Sequence, residues 1–213
     1  MPTASKATAS SENVAGTPVT RILDAALVLF EQVGVKKTTI EEVARKAGVD
    51  RVTVYRHVGG RDDLVQAVIS REVAAVLAEI TEIADRHDDL GDLVADIFVT
   101  VITRWRTNPL VERMLALEPA RVVLKLTVEG AGPFAMSVHT TDAALQRAVE
   151  RGILLPAPDL TTRAEIVCRI VHSLILAPHG LTELRTDEQL GDFARTYLVP
   201  VVAGCPATTF GDL

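Results

Sequence analysis

The stretch from Thr39 to Leu64, TIEEVARKAGVDRVTVYRHVGGRDDL, constrains the fold more than any other part of this chain. Thr39-Ile40-Glu41-Glu42 has the form of a capping box, in which a threonine hydroxyl accepts from the Glu42 amide and the Glu42 carboxylate reaches back. Ile40, Val43, Ala44 and Ala47 then recur at helical spacing on one face. Gly48 can take the left-handed backbone that stops a helix. Asp50 serves as the next N-cap, and Val54 and Val58 lie four apart on the buried side of a helix from Arg51 to about His57. A short helix, a three-residue turn containing glycine and a second short helix make the helix-turn-helix plan, so this end of the chain reads as a DNA-binding head.

Helix 1 precedes it. Thr17-Pro18 opens that helix, since proline is tolerated at the first helical position. Ile22, Ala25, Ala26, Leu29, Phe30 and Val33 form its apolar stripe, and Gly34 closes it. Leu29 and Phe30 are expected to fill the space behind the next two helices without touching DNA.

Helical periodicity recurs through the rest of the chain, which predicts an all-α protein of about nine or ten helices: an N-terminal three-helix helix-turn-helix domain and a C-terminal helical domain. Only 4% of the residues are aromatic within a 48% hydrophobic fraction, so aliphatic side chains must fill the core. The expected organisation is an N-terminal extension at 1–17, disordered because it has almost nothing to bury, a DNA-binding domain at 18–65, a second helical domain at 66–204, to which the family resemblance named below assigns ligand binding and dimerisation, and a loose tail at 205–213. Lys6 is the only basic residue of the extension, weak support for a minor-groove arm.

Helix 4 is expected to start with Gly59-Gly60-Arg61-Asp62-Asp63 and to run to about Asp85, with the domain boundary inside it near Val65–Ile69 and no flexible linker. His87-Asp88-Asp89 reads as a solvated loop and not as a metal site. Further helices are expected at Leu90–Asn108, Leu110–Leu117, Ala120–Val128, Phe134–Arg151, Leu160–Ala177 and Asp187–Val202, with Gly130-Ala131-Gly132-Pro133 taken as a break.

Net charge is −6, which disfavours a generally adhesive nucleic-acid binder. The charge is uneven: residues 1–72 hold 10 Lys+Arg against 9 Asp+Glu, and residues 73–213 hold 12 against 19. The head is therefore the part least repelled by phosphate. Cys168 and Cys205 form no metal-type cluster and read as free thiols of a cytoplasmic protein. Neither an apolar leader nor an apolar run of membrane-spanning length is expected. No cofactor is called for. An enzyme is disfavoured because there is no phosphate loop, nucleophile triad or carboxylate pair, and His139, His172 and Asp142 are scattered. A non-specific or architectural DNA binder is the other alternative.

The pattern Leu29-Phe30-x-x-x-Gly34, Thr39-Ile40-x-x-Val43-Ala44, Ala47-Gly48-Val49, Thr53-Val54-Tyr55-x-His57 and Arg61-Asp62-x-Leu64 resembles the DNA-binding domain of the TetR family of bacterial transcriptional regulators. Three positions depart from it: Val52 stands where a small residue or proline is common, Val58 where phenylalanine is usual, and Gly60 where a polar cap is frequent.

Several side chains are candidates for DNA contact. Thr39 sits at a helix N-terminus, where free amides favour a phosphate oxygen, although capping alone would also explain it. Thr53 can reach phosphate or a base edge. Arg51, at the start of the recognition helix, is assigned to base readout, because arginine bonds guanine O6 and N7 together; Arg56 reaches a base or the backbone. Val52 can lie against a thymine methyl. The resemblance implies phosphate-side roles for Tyr55 and His57 and a basic phosphate anchor at Arg61; packing against helix 1 is the other reading of Tyr55.

The resemblance also implies a homodimer on a palindromic operator, and a small-molecule effector, apolar or amphipathic, that releases the repressor. For the dimer interface, the candidates on the penultimate helix are Ile166, Val167, Ile170, Val171, Leu174 and Ile175. On the last helix they are Leu190, Phe193, Ala194 and Tyr197. For the ligand cavity, Phe98, Ile102 and Trp105 come from helix 5, and Met114, Leu117, Val122 and Leu126 from the two short helices. Phe134, Met136 and His139 come from the helix after them. Core packing is the competing reading for each of these. Arg104 and Arg106 flank Trp105 and are candidates for an anionic ligand.

Overall fold

A computed structural model describes residues 16–204. The expectations for the extension up to residue 15, for Lys6, for Cys205 and for the tail lie outside them. Among the described residues every regular element is helical, and the chain divides into two compact units that meet between Ala67 and Val68.

The first unit contains α1 (Pro18–Val33), α2 (Ile40–Ala47), α3 (Arg51–His57) and the start of α4 (Arg61–Ile83). The first three begin where a side chain satisfies amides that have no intrahelical partner. Thr17 Oγ1 accepts from the Thr20 amide at 3.2 Å, and Asp50 Oδ1 accepts from the Thr53 amide at 2.6 Å. The capping box of α2 is complete: Thr39 Oγ1 accepts from the Glu42 amide at 3.2 Å, and Glu42 Oε2 accepts from the Thr39 amide at 2.9 Å. Gly48 ends α2 at φ 65°, ψ 39°, the left-handed conformation a side chain would strain. Gly60 has no side-chain cap to offer α4; instead its amide donates to Asp63 Oδ2 at 2.9 Å. The core of this unit joins Ile22 and Phe30 of α1 to Val43 of α2, Val54 of α3 and Leu64 and Val65 of α4. Leu29 is only half-buried and Val33 is exposed, so the buried stripe of α1 is carried by Ile22, Leu23, Ala25, Ala26 and Phe30.

The second unit contains the remainder of α4, then α5 (Leu90–Thr107), α6 (Pro109–Leu117), α7 (Pro119–Leu126), α8 (Ala131–Glu150), α9 (Leu160–Leu176) and α10 (Asp187–Phe193). A π-helical turn (Ala194–Leu198) and α11 (Val199–Ala203) follow without a break. The core gathers Leu93, Phe98 and Ile102 of α5, Leu145 and Ala148 of α8, Ala164 of α9, and Leu190, Ala194 and Leu198 of the last segment. Phe98 stacks on Phe193 with ring centroids 5.7 Å apart.

Two boundaries differ from the sequence reading. The break expected at Gly130-Ala131-Gly132-Pro133 falls earlier, at residues 127–130, because α8 begins at Ala131 and holds Pro133 in its first turn. Amides there have no intrahelical acceptor, so the missing N–H of proline costs nothing. The last helix is not uniformly α: the Val199 amide reaches back to the Ala194 carbonyl, and Pro200 follows directly. A proline inside a helix lacks a donor and collides with the carbonyl one turn back, and the wider π turn relieves that collision.

The C-terminal end of α4 is held by arginines of α8 and the residue after it. Arg147 Nη1 donates to the Thr81 carbonyl at 3.3 Å and to Asp85 Oδ2 at 3.1 Å. Arg151 Nη1 donates to the Ala84 carbonyl at 2.8 Å, and its Nη2 to Asp88 Oδ1 at 2.6 Å. Guanidinium groups suit the negative end of a helix dipole and its unsatisfied carbonyls. His87 and Asp89 are likewise engaged: His87 Nε2 lies 2.8 Å from Asp96 Oδ2, and Asp89 caps α5. The trio that reads as a solvated loop in the sequence thus ties α5 and α8 to the end of α4.

Candidate nucleic-acid interface

Of the seven residues of α3, only Val54 is buried. It packs toward α1 and α2 and fixes which side of the helix faces outward. Val52 is 72% exposed and Tyr55 45% exposed, and Arg51, Arg56 and His57 are exposed as well, with Thr53 half-covered. Tyr55 has Arg51 as its partner on the exposed side. Its ring lies under the Arg51 guanidinium, 5.4 Å from centroid to Cζ, and Arg51 Nη2 donates to the Tyr55 hydroxyl at 3.2 Å. That hydrogen bond raises the already high pKa of Arg51. The pair fixes the long arginine side chain before any base arrives, which reduces the entropy lost on contact.

Thr39 is exposed at the N-terminus of α2, and its hydroxyl also donates to Glu42 Oε2 at 2.8 Å. The bonds from the Thr39 amide and hydroxyl lower the pKa of the Glu42 carboxyl. Arg61, read from the sequence as a phosphate anchor, has other partners. Its Nη2 donates to the Val35 carbonyl at 2.6 Å and its Nε to the Thr38 carbonyl at 3.3 Å. The turn between α1 and α2 thus supplies electronegative atoms for an arginine that stands at the positive end of α4.

With one inward valine and five exposed side chains, α3 presents most of its circumference to a groove, the layout of a helix-turn-helix transcriptional regulator. The sequence profile of bacterial regulatory proteins of the tetR family matches residues 22–68. An uncharacterised HTH-type transcriptional regulator of Mycobacterium bovis is 32% identical over 173 residues, 74% of this chain and 87% of the relative. The chain belongs to the tetR family of bacterial transcriptional regulators, a family of regulators and not of enzymes. Its fold is similar to that of the TetR family repressor AlkX from Dietzia sp., implicated in n-alkane biodegradation, at TM-score 0.70 and 22% identity, covering 89% of this chain and 97% of that one. It is also similar to the SmeT–triclosan complex at TM-score 0.56 and 24% identity, covering 92% and 98%. SmeT is the repressor of a multidrug efflux pump of Stenotrophomonas maltophilia.

In the second unit, an open cavity of about 420 Å³ is lined by Thr81 of α4 and by Gly132, Ala135, Met136, His139, Thr140 and Ala143 of α8. Of the ten expected cavity residues only Met136 and His139 line it. Phe98, Ile102, Met114 and Val122 are buried in the protein's own packing, and Leu117 is exposed on α6. Trp105, Leu126 and Phe134 are half-buried elsewhere. The face lies in the sequence as a helical stripe at 132, 135, 136, 139, 140 and 143, in which Met136 is the one large apolar side chain. Arg104 and Arg106 do not await an anion: Arg104 forms a two-point contact with Glu79 at 2.9 and 3.1 Å, and Arg106 donates to the Leu184 carbonyl at 2.6 Å.

The expected interface residues divide by burial. Leu190 and Ala194 lie inside the chain's own core at 1% and 0% exposure, which corrects their assignment to a partner's surface. Val167, Ile170, Val171, Leu174, Ile175 and Phe193 pack partly against that core, whereas Ile166 and Tyr197 are exposed. Cys168 and His172, four apart on α9, have separate partners. The Cys168 Sγ lies 3.4 Å from Thr141 Oγ1 and burial raises its pKa, while the His172 ring meets Phe134 edge-on. Among the described residues no cluster of three or more potential metal ligands occurs, and no helix is long and apolar enough to cross a membrane.

Proposed function

We propose that this regulator is a dimeric repressor that binds a palindromic operator and is released by a small apolar or amphipathic effector. The observation that carries the reading is the outward face of α3, where Arg51, held on Tyr55, and Val52 are free to meet base edges. Arg51 would bond guanine O6 and N7 and Val52 would touch a thymine methyl; Thr39, Thr53, Tyr55, Arg56 and His57 would serve phosphates and register. One head of this size buries little surface, and a twofold pair spaced one DNA turn apart, ~34–36 Å, supplies the rest. The exposed Ile166 and Tyr197, continuous with the half-buried faces of α9 and the last helix, support that pairing. The groove between α4 and α8 is the effector site: apolar in most of its lining, with His139 and two threonines to orient a ligand. An effector that fits only a conformer unable to hold the operator would shift the population away from DNA.

Selection of duplexes from a random-sequence pool by the full-length protein, in the presence of bulk DNA, tests this reading. Enrichment of an inverted repeat bound by a dimer is expected. A monomer that recovers no sequence above background would overturn it.

A further inference from the structure

Arg61 stands where a positive charge is poorly placed for its own helix, at the first residue of α4, with Asp62 and Asp63 behind it. Its side chain turns back to the loop between α1 and α2. The Val35 carbonyl accepts there from Arg61 Nη2 at 2.6 Å and also from the Thr38 amide at 3.3 Å. The Thr38 carbonyl accepts from Arg61 Nε at 3.3 Å. Thr38 is 3% exposed and its hydroxyl donates to the Gly34 carbonyl at 3.0 Å, so the loop is closed on itself by Thr38 and on α4 by Arg61. The next residue is Thr39, the N-cap of α2.

The Nε and Nη2 hydrogens form the side edge of the guanidinium, one of the two edges by which arginine grips a phosphate at two points. Here that edge is turned to the Val35 and Thr38 carbonyls. We infer that Arg61 is a positioning residue of the DNA-reading unit and not a phosphate anchor: it fixes the loop that leads into Thr39 and so sets α2, and α3 behind it, against α4. The inference rests on the DNA-binding reading above and departs from it in the role of this one side chain. Lysine, a point charge on a flexible stem, cannot reproduce a planar two-carbonyl contact.

The two roles differ in salt dependence. A lost phosphate contact lowers the slope of log affinity against log salt by ~0.9, roughly 1.8 for a symmetric pair of heads. Arg61→Gln and Arg61→Lys are titrated against two probes in a KCl series: a duplex recovered by the wild-type protein from the random pool, and a scrambled duplex of the same length and composition. For a positioning residue, both variants weaken the recovered duplex about tenfold, one charged hydrogen bond's worth, while the scrambled duplex and both salt slopes stay as in wild type. The inference is overturned if the slope falls in Arg61→Gln, if Arg61→Lys retains wild-type binding, or if both probes weaken by one factor, as general destabilisation would produce. Should either variant not unfold cooperatively, wild-type protein decides by NMR. An Arg61 Nε–H exchanging as fast as that of an exposed arginine contradicts the clamp, and a slowly exchanging one supports it. Failure of wild type to recover any duplex would count against DNA reading, while Nε–H protection would still report on the clamp.

Discussion

Val52 and Val54 carry the same side chain two positions apart, and replacing each with alanine separates the reading face of α3 from its packing face. Val54 is fully buried beneath α1 and α2. Losing its two methyl groups removes ~1.6 kcal/mol of transfer free energy at ~0.8 kcal/mol per group. The void left behind, on the order of 40 Å³, adds about 1 kcal/mol at ~24 cal/mol per Å³. Val54→Ala should therefore destabilise the first unit by about 2.5 kcal/mol. Native-state amide exchange of α2 and α3 is the appropriate assay, because it reads this unit even if the second unfolds separately. Val52 is 72% exposed, and Val52→Ala should change the same exchange by less than ~0.5 kcal/mol. Its effect belongs on DNA: a roughly threefold to tenfold loss of preference for thymine at one position of each half-site, about the worth of a methyl contact. Equal destabilisation by the two substitutions, or none by Val54→Ala, would mean that α3 faces the other way and that the assignment of Arg51 and Tyr55 to DNA is unfounded.

Three further outcomes are expected. Gly48→Ala should cost roughly 1–2 kcal/mol of unfolding free energy in denaturant titration, wholly from the left-handed backbone, since the nearest atom to an added Cβ is Arg21 Nη1 at 4.0 Å. Asp50 has its pKa depressed below the ordinary 3.8, first by the bond from the Thr53 amide, so its cap is intact at neutral pH. The contribution should disappear as pH falls below that ordinary value and through the depressed one, visible as loss of α3 amide protection in acid that Asp50→Asn does not share. Ala135→Trp, which fills the groove between α4 and α8, should abolish thermal stabilisation by any apolar compound that stabilises wild type, with operator affinity retained. An Ala135→Trp variant that still responds to the compound would place the effector elsewhere.

The first unit was legible because its determinants are local. Thr39 and Glu42 are three apart, Gly48 follows the last apolar residue of α2, and Asp50 precedes α3 by one; each acts over a single helical turn, where sequence distance and spatial distance agree. The partners of Arg61 were not legible for the opposite reason, since Val35 and Thr38 lie 26 and 23 residues away and contribute backbone atoms with no residue signature. Large apolar residues are the expected lining of a cavity, yet Phe98, Ile102, Met114 and Val122 fill the interior, while the open face of α8 is made largely of alanine, glycine and threonine. Periodicity marks what is buried and says little about where a surface stays hollow. Leu190 and Ala194 show the same ambiguity: an apolar stripe on a helix does not declare whether its own chain or a second one covers it.

The π-helical turn also bears on how the last helix is indexed. Leu190, Ala194, Leu198 and Val202 are all within 1% of full burial and lie four residues apart. On a uniform helix of 3.6 residues per turn, each step of four advances ~40° too far, so the fourth member would sit about 120° around from the first. One wide turn in the middle takes back part of that rotation and keeps the four side chains on a single seam. A Pro200→Ala chain would be free to wind that turn tight, and Val202 would then swing off the seam or drag the final turn across α9. The proline thus acts as a pitch stop, holding the end of the chain in phase with its start.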